Sequence, residues 1–585
     1  MAICGIIQVW RDYILKVSVS KSKNATLYYI SKSIWKDGKS TTKTIERLGS
    51  AEEIRARAGD PNVDPLEWAK KYAAELTRKE KEGNREIIVK YSSNTIIDKD
   101  ARQSVNVGYL FLQDIYYDLG LDKICSTLSE NYKFTFDLNA VLSRLVYSRV
   151  IYPASKLATM DLSKKFLEPP KFELQHIYRG LEFLAKESSF IQSQLYKNSL
   201  ASINRKKGIL YYDCTNYFFE IEEEDGFRKY GHSKEHRPNP IVQMGLFMDA
   251  DGIPLCFSVF PGNQNEQPSM TPLEEMVVRD FDLKRFVVCT DAGLSSVANR
   301  KFNNIASRSF ITTQSIKKLP GFLRDFCLGS DGWRLSGHDG CFNLSEVNKD
   351  EYYNRTFYKE RWMNENGLEQ HLIVTFSFKY RDYQRTIRDR QIERACAILE
   401  KPYKNHRYGA NDCRRFIHED YCTKEGEKAA HEMISLNEDR IREEERFDGF
   451  YAVCTNLEDD PMDIIAVNRH RWKIEECFRI MKSEFKARPV YLSREDRIQA
   501  HFMTCYIALI IYRLLEIKLK NKFTCEEIIS TLRQMDMLSS PAEGYIPAYT
   551  RTDLTDALHD AFGFRTDYQI TSKKNMKKIC SQTKK

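Results

Sequence analysis

The sequence has no C-x2-C pair and no cysteine–histidine spacing of the zinc-finger kind, and its 15 cysteines are scattered and odd in number. A secreted disulfide framework is therefore disfavoured, and reduced cytoplasmic thiols are expected. A basic segment followed by an apolar core is missing from the start (MAICGIIQVWRDY), so no signal peptide is expected. A membrane-length apolar run is missing too. The longest, FMTCYIALIIY at 502–512, is about half of the roughly 20 residues that a spanning helix needs, and it reads as a buried helix. No charge sign dominates: 90 basic against 82 acidic side chains leave +8 over 585 residues. With 42% apolar and 29% charged residues, wholesale disorder, collagen and a membrane bundle are excluded.

What is present is enough chain for about four domain-sized units. A pI near 8.6 is compatible with a nucleic-acid partner without demanding one. Residues 1–95 read as a small basic β module with a connector helix: ATLYYISKSIW and TTKTIERLG flank the turn signal KDGK, and PLEWAKKYAAELTRKEKEG follows. The first 50 residues carry nine Lys/Arg against three Asp/Glu, which suits either a solvated β-meander or a DNA-contacting module. Residues 96–205 show helical spacing, as in DLNAVLSRLVYSRVI, and form either a plain bundle or a DNA-binding unit.

From 206 to 314 the period changes. KKGILYYDCTNYFFE, two strands around DADG, KRFVVCTDAG and SRSFITTQSI give five strands with helices between the later ones, a mixed sheet with covered faces. Residues 315–450 break that pattern and read as a β-rich inserted subdomain. The α/β core resumes over 451–520. Residues 521–585 read as a helical region with a frayed basic tail, SKKNMKKICSQTKK.

Three carboxylates stand out. Asp213 interrupts an apolar strand, where an unpaired carboxylate is costly unless a cation faces it. Asp291 ends the strand FVVCTDAG, a position that suits either a reactive group or an ordinary turn. Along AVNRHRWKIEECFRIMKSEF, taken as one helix at 100° per residue with Arg471 at 0°, Glu475 falls at about 40° and Lys482 at about 20°, one narrow charged stripe. Glu476, at about 140°, points elsewhere. The plain alternative is an i, i+4 Arg–Glu pair on a solvated face. Three carboxylates without His or Cys favour a hard cation, magnesium or manganese. His232 and Lys234, in a polar loop, suit phosphate contacts or a solvated loop.

These residues resemble the DDE transposases of bacterial insertion sequences, whose members carry a Tyr-x2-Arg-x3-Glu-x6-Lys signature on an RNase H-like fold. Arg471, Glu475 and Lys482 fit that spacing, and Asn468 stands where the signature has Tyr. LYYDCTNYFFE, VVCTDAG and the run 231–266 are similar to the group as well. The resemblance implies Asp213, Asp291 and Glu475 as catalytic metal ligands, separated by 78 and 184 residues. It further implies two magnesium or manganese ions per site, and phosphate contacts from Arg471, Lys482, His232 and Lys234. The implied reaction is cleavage of element ends followed by 3′-OH strand transfer. The implied partners are terminal inverted repeats and target DNA, bound by a homodimer in the cytoplasm at the nucleoid, with no membrane. An inactive DNA-binding relative and an RNase H-like nuclease without strand transfer are the alternatives.

Overall fold

The computed structural model describes residues 15–22, 26–36, 39–83, 93–94, 96–305, 307–399, 412–422, 428–540 and 544–585. The chain divides into two units, Met1–Lys99 and Asp100–Lys585.

In the first unit β1 (Leu15–Lys21), β2 (Thr26–Lys36) and β3 (Lys39–Ser50) form an antiparallel sheet. Of the KDGK turn, Asp37 and Gly38 lie outside the described residues. Ser50 and Glu53 cap α1 (Ala51–Ala58) reciprocally, and α2 (Pro65–Gly83) follows. Leu15, Ile30, Leu48, Ile54, Ala69 and Ala73 make a core of this unit's own.

The second unit is built on a nine-stranded sheet. Its central run is β5 (Ile209–Phe218), β6 (Ile241–Asp249), β7 (Pro254–Pro261), β8 (Phe286–Thr290) and β9 (Arg308–Gln314). These are the five strands expected from the sequence. They lie in the order β9-β8-β5-β6-β7, with β5, β8 and β9 parallel and the β5-β6-β7 meander antiparallel.

A five-stranded sheet was the expectation, and here the structure differs. β10 (Arg334–Leu335), β11 (Phe357–Glu365) and β12 (Leu368–Phe376) continue the sheet through β15 (Phe450–Thr455), which pairs with β9. The edge of β9 would otherwise present unpaired amides and carbonyls, and pairing with β15 satisfies them. Among the described residues of 315–450, β13 (Ile417–Cys422) and β14 (Lys428–Leu436) stand apart from this sheet as an antiparallel pair.

Helices cover the faces. α3 (Tyr109–Asp118), α4 (Leu138–Ile151), α5 (Lys156–Leu162) and α6 (Leu174–Lys186) come from the helical region. α7 (Met270–Asp280) covers one side of the central strands, with Tyr212, Cys214, Met276 and Val277 in one cluster. On the other side α8 (Pro461–Arg469) and α9 (Trp472–Arg479) lead to α10 (Glu495–Lys518). α10 is apolar all round because it is a spine: it packs on α3, α4, α6 and β7, and Phe502, Tyr506, Leu509 and Tyr512 are fully buried or nearly so. Tyr506 Oη donates to the Leu255 carbonyl at 2.6 Å. Among the described residues α10 is the one helix long and apolar enough to cross a membrane, and 94% of that stretch is buried inside the protein.

The C-terminal segment is not a frayed tail. β16 (Asp536–Ser540), β17 (Gly544–Pro547) and β18 (Thr571–Ser572) form a small sheet with β4 (Ser104–Asn106), and α11 (Lys573–Gln582) closes the chain. Met576 and Ile579, three residues apart on α11, are buried, and Gln113 Nε2 donates to Thr583 Oγ1 at 2.9 Å. Lysine count concealed that apolar spacing.

Close packing has two visible requirements. Gly245 on β6 admits the Tyr212 side chain, since a Cβ there would lie 2.1 Å from the Tyr212 hydroxyl. Arg205 enters β5 buried against Asp249, Nε to Oδ2 at 2.6 Å, and its Nη2 donates to the Ile253 and Pro254 carbonyls at 2.9 and 3.0 Å. Arg205→Met should cost about 3 to 5 kcal/mol, because it leaves Asp249 charged and unpaired in the interior. Urea unfolding of the two proteins checks this; an unchanged midpoint would mean that Asp249 is already satisfied by the Asp251 and Ile253 amides.

Candidate active site

Alternation along β5 decides where Asp213 looks. Even-numbered Leu210, Tyr212 and Cys214 pack on the α7 side, whereas Tyr211 and Tyr217 belong to the core on the other face. Tyr211 Oη donates to the Val467 carbonyl of α8 at 2.9 Å, and Tyr217 Oη lies 3.8 Å from Met481 Sδ. Asp213 falls between them on that same face, and β5 packs against α9 there. In the parallel pairing Tyr211 is level with Cys289. Each two residues further on, Asp213 still inside β5 is level with Asp291 just past the end of β8.

Asp291 lies one residue past β8. Its Oδ1 accepts the Gly293 and Leu294 amides, both at 3.0 Å, so the turn role open to it from sequence is filled by one oxygen. Asp213 accepts the Cys214 amide at 2.7 Å. Burial pushes the Asp213 carboxyl up to about 6; Lys234 opposes this, Asp291 adds to it, and Arg471 opposes it in turn. The rise is thus set by burial, while the neighbouring charges, two cations against Asp291, on balance hold it down.

The single charged stripe is corrected by the structure. α8 stops at Arg469, α9 starts at Trp472, and Ile480–Glu484 form a π turn, with the Phe485 amide bonded to the Ile480 carbonyl at 3.0 Å. Arg471 and Glu475 keep their i, i+4 relation, Nη2 to Oε1 at 3.7 Å, with Glu475 66% exposed. Lys482 lies inside this π turn, and its Nζ is 3.3 Å from Glu235 Oε1 rather than beside Glu475. Burial, then Lys234, bring the Lys482 ammonium down to about 8, with Asp213 opposing, so Lys482 and Lys234 both sense Asp213. π turns recur at functional sites because they re-aim side chains. Glu476 does point elsewhere, to Arg513 at 2.8 Å.

Of the two loop residues, the structure brings Lys234 in and leaves His232 outward. Lys234 Nζ donates to the Cys214 carbonyl and lies 3.7 Å from Glu266. His232 is exposed, and its carbonyl accepts Asn216 Nδ2 at 3.0 Å. Glu235 went unread in the sequence. It bridges Lys482 and Arg488, and its place in the same polar loop as Lys234 was the signal. Asn468 is buried, donating to Tyr451 Oη at 2.6 Å and accepting the Cys289 thiol at 3.3 Å. Position 468 therefore faces the sheet.

A hard divalent cation fits the oxygen-only pair Asp213 and Asp291. Among the described residues, however, no group of three His, Cys, Asp or Glu side chains is close enough to hold a metal. Glu475, held toward Arg471, does not complete one.

Asp213 within β5 and Asp291 just past β8 supply oxygen ligands, and Arg471, Lys234 and Lys482 are cations whose charges couple to Asp213. A family model described as a transposase DDE domain matches residues 216–511, half of the chain, beginning three residues after Asp213. The chain belongs to the DDE transposase family, and it is a DNA transposase whose relatives generally use divalent metal ions. A cryo-EM structure of the piggyBac transposase synaptic complex with hairpin DNA aligns over 73% of this chain and 78% of that chain, at 10% identity and a TM-score of 0.34, a likeness too slight to carry an argument. No curated protein matches the chain.

Proposed function

We propose that this transposase nicks DNA at the ends of its element and joins the freed 3′-OH to target DNA at the site of Asp213, Asp291 and Glu475, on an RNase H-like core formed by β5–β9. The observation that carries this reading is the level placement of Asp213 and Asp291 on adjacent parallel strands, opposite the helix that bears Glu475. Two magnesium or manganese ions, held by the two Asp and by Glu475 once it leaves Arg471, would supply an activated nucleophile and neutralise the leaving oxygen. The chain's own contribution is positioning. Asp213 and Asp291 fix the ligand oxygens, Arg471 and Lys234 offset their charge, and Lys482 holds a phosphate beside the cut bond. The basic module 1–95 would add sequence-independent phosphate affinity, and pairing two ends implies a dimer on DNA.

Cleavage and joining of labelled end DNA test the reading. Magnesium-dependent joined products support it, nicked products alone favour a nuclease, and no cleavage favours an inactive DNA-binding relative. Lys482→Ala should flatten the slope of log affinity against log salt by roughly 0.7 to 0.9, with end preference unchanged, since a lysine reads charge and not bases. Identical slopes would leave Lys482 as a partner of Glu235 only.

A further inference from the structure

A cavity of about 340 Å³ is lined by Arg149, Lys156, Tyr178, Lys486, Arg488 and His501 among others. Arg149 and Lys156 are 4% and 5% exposed. Arg149 Nη1 donates to the Phe485 and Lys486 carbonyls at 3.1 and 3.4 Å, Nη2 donates to the Ala154 carbonyl at 3.2 Å, and Nε has no partner. Lys156 Nζ lies 3.4 Å from His501 Nδ1, and His501 Nε2 lies 3.0 Å from the Ala487 carbonyl. The ring therefore donates from Nε2 and offers its Nδ1 lone pair to the ammonium, which makes it neutral. Burial and the two cations hold it so, well below the usual imidazole range.

Both cations thus end on carbonyls and a neutral ring. Buried charge without a counter-ion is costly, and Lys156 shows the cost: burial first, then Arg149, bring it down to about 7. An anion entering the cavity would relieve it. Exposed Lys486 adds positive charge to the lining, Arg488 adds a guanidinium paired with Glu235, and Tyr178 and Tyr491, the latter 71% exposed, add rings. The space exceeds one phosphate, and cations interleaved with rings suit a phosphate with its nucleoside. Arg488 shares Glu235 with Lys482, so one ion-paired residue separates the cavity from the group that senses Asp213.

We propose that this cavity is a second phosphate site, which receives a backbone phosphate and its nucleoside from the same DNA strand that is held at Asp213. The proposal rests on the cleavage site argued above; the anion chemistry does not.

The full chain, Lys156→Met and Lys486→Gln are compared in two measurements: melting in chloride against inorganic phosphate at equal ionic strength, and binding to end DNA across a salt series. Phosphate should raise the wild-type melting temperature and leave that of Lys156→Met unmoved. In chloride Lys156→Met should melt higher than wild type, the reverse of what loss of a packing residue would do. Each variant should lower the salt slope by roughly 0.7 to 0.9. Phosphate stabilisation with unchanged slopes would overturn the DNA assignment in favour of a free phosphate compound. No phosphate effect and unchanged slopes would overturn the site altogether. If Lys156→Met fails to fold, the wild-type phosphate shift and exposed Lys486→Gln decide between these outcomes. A wild type that binds no end DNA would count against the cleavage reading itself, whereas a bound wild type with unaltered variants sinks the cavity alone.

Discussion

Asp213→Asn should abolish cleavage and, in the absence of divalent ions, raise the melting temperature at pH 7. The amide keeps an acceptor for the Cys214 N–H but removes a charge that the folded protein holds at a disadvantage. The carboxyl rises from 3.8 to about 6 on folding. The folded state then binds the proton more tightly than the unfolded state, and stability falls as pH rises from about 4 through about 6. Above that window the cost is constant, at most about 3 kcal/mol. The neutral amide carries none of it, so the variant gains at pH 7 and gains nothing below pH 4, where wild-type Asp213 is protonated in both states. Magnesium should stabilise the wild type and leave the variant unmoved. Melting curves at the two pH values check the sign, and a variant that melts lower at pH 7 would place Asp213 in a structural ion pair instead.

Glu475→Gln and Glu476→Gln should separate chemistry from stability on adjacent residues. Glu475 is exposed and only loosely paired, so its loss should leave folding and end binding intact while reducing cleavage by on the order of 10³-fold, the scale of several kcal/mol of lost transition-state stabilisation. Glu476 contacts Arg513, 10% exposed, whose remaining carboxylate is Glu516. Its amide should cost about 1 to 2 kcal/mol of stability and spare cleavage by the folded fraction. Single-turnover cleavage and denaturation of both variants decide; equal losses of cleavage would put both side chains at the site.

The central strands were legible because strands buried on both faces carry dense apolar runs, and in such runs Asp213 is conspicuous. Alternation then placed it without further information. The β10–β12 extension was not legible, since FYKERWMNE alternates like any exposed strand and nothing in it names its partner. The charged stripe failed at Lys482 for a definite reason: 100° per residue holds only while winding is regular, and the π turn at Ile480–Glu484 inserts a residue into it. Met576 and Ile579 were hidden among lysines. Lys156 and Arg149 left no trace at all, because a buried cation without an acid partner reads in sequence like any surface residue.

The spine helix also sets a timetable for synthesis. Residues 15–83 carry their own core and can fold as soon as they leave the ribosome. α3, α4 and α6 cannot complete theirs, since α10 begins about 340 residues after α4 ends. At roughly 5 to 20 residues per second, their apolar faces wait on the order of 20 to 70 s for it. Those unpaired faces are what a chaperone would bind on the nascent chain during that interval.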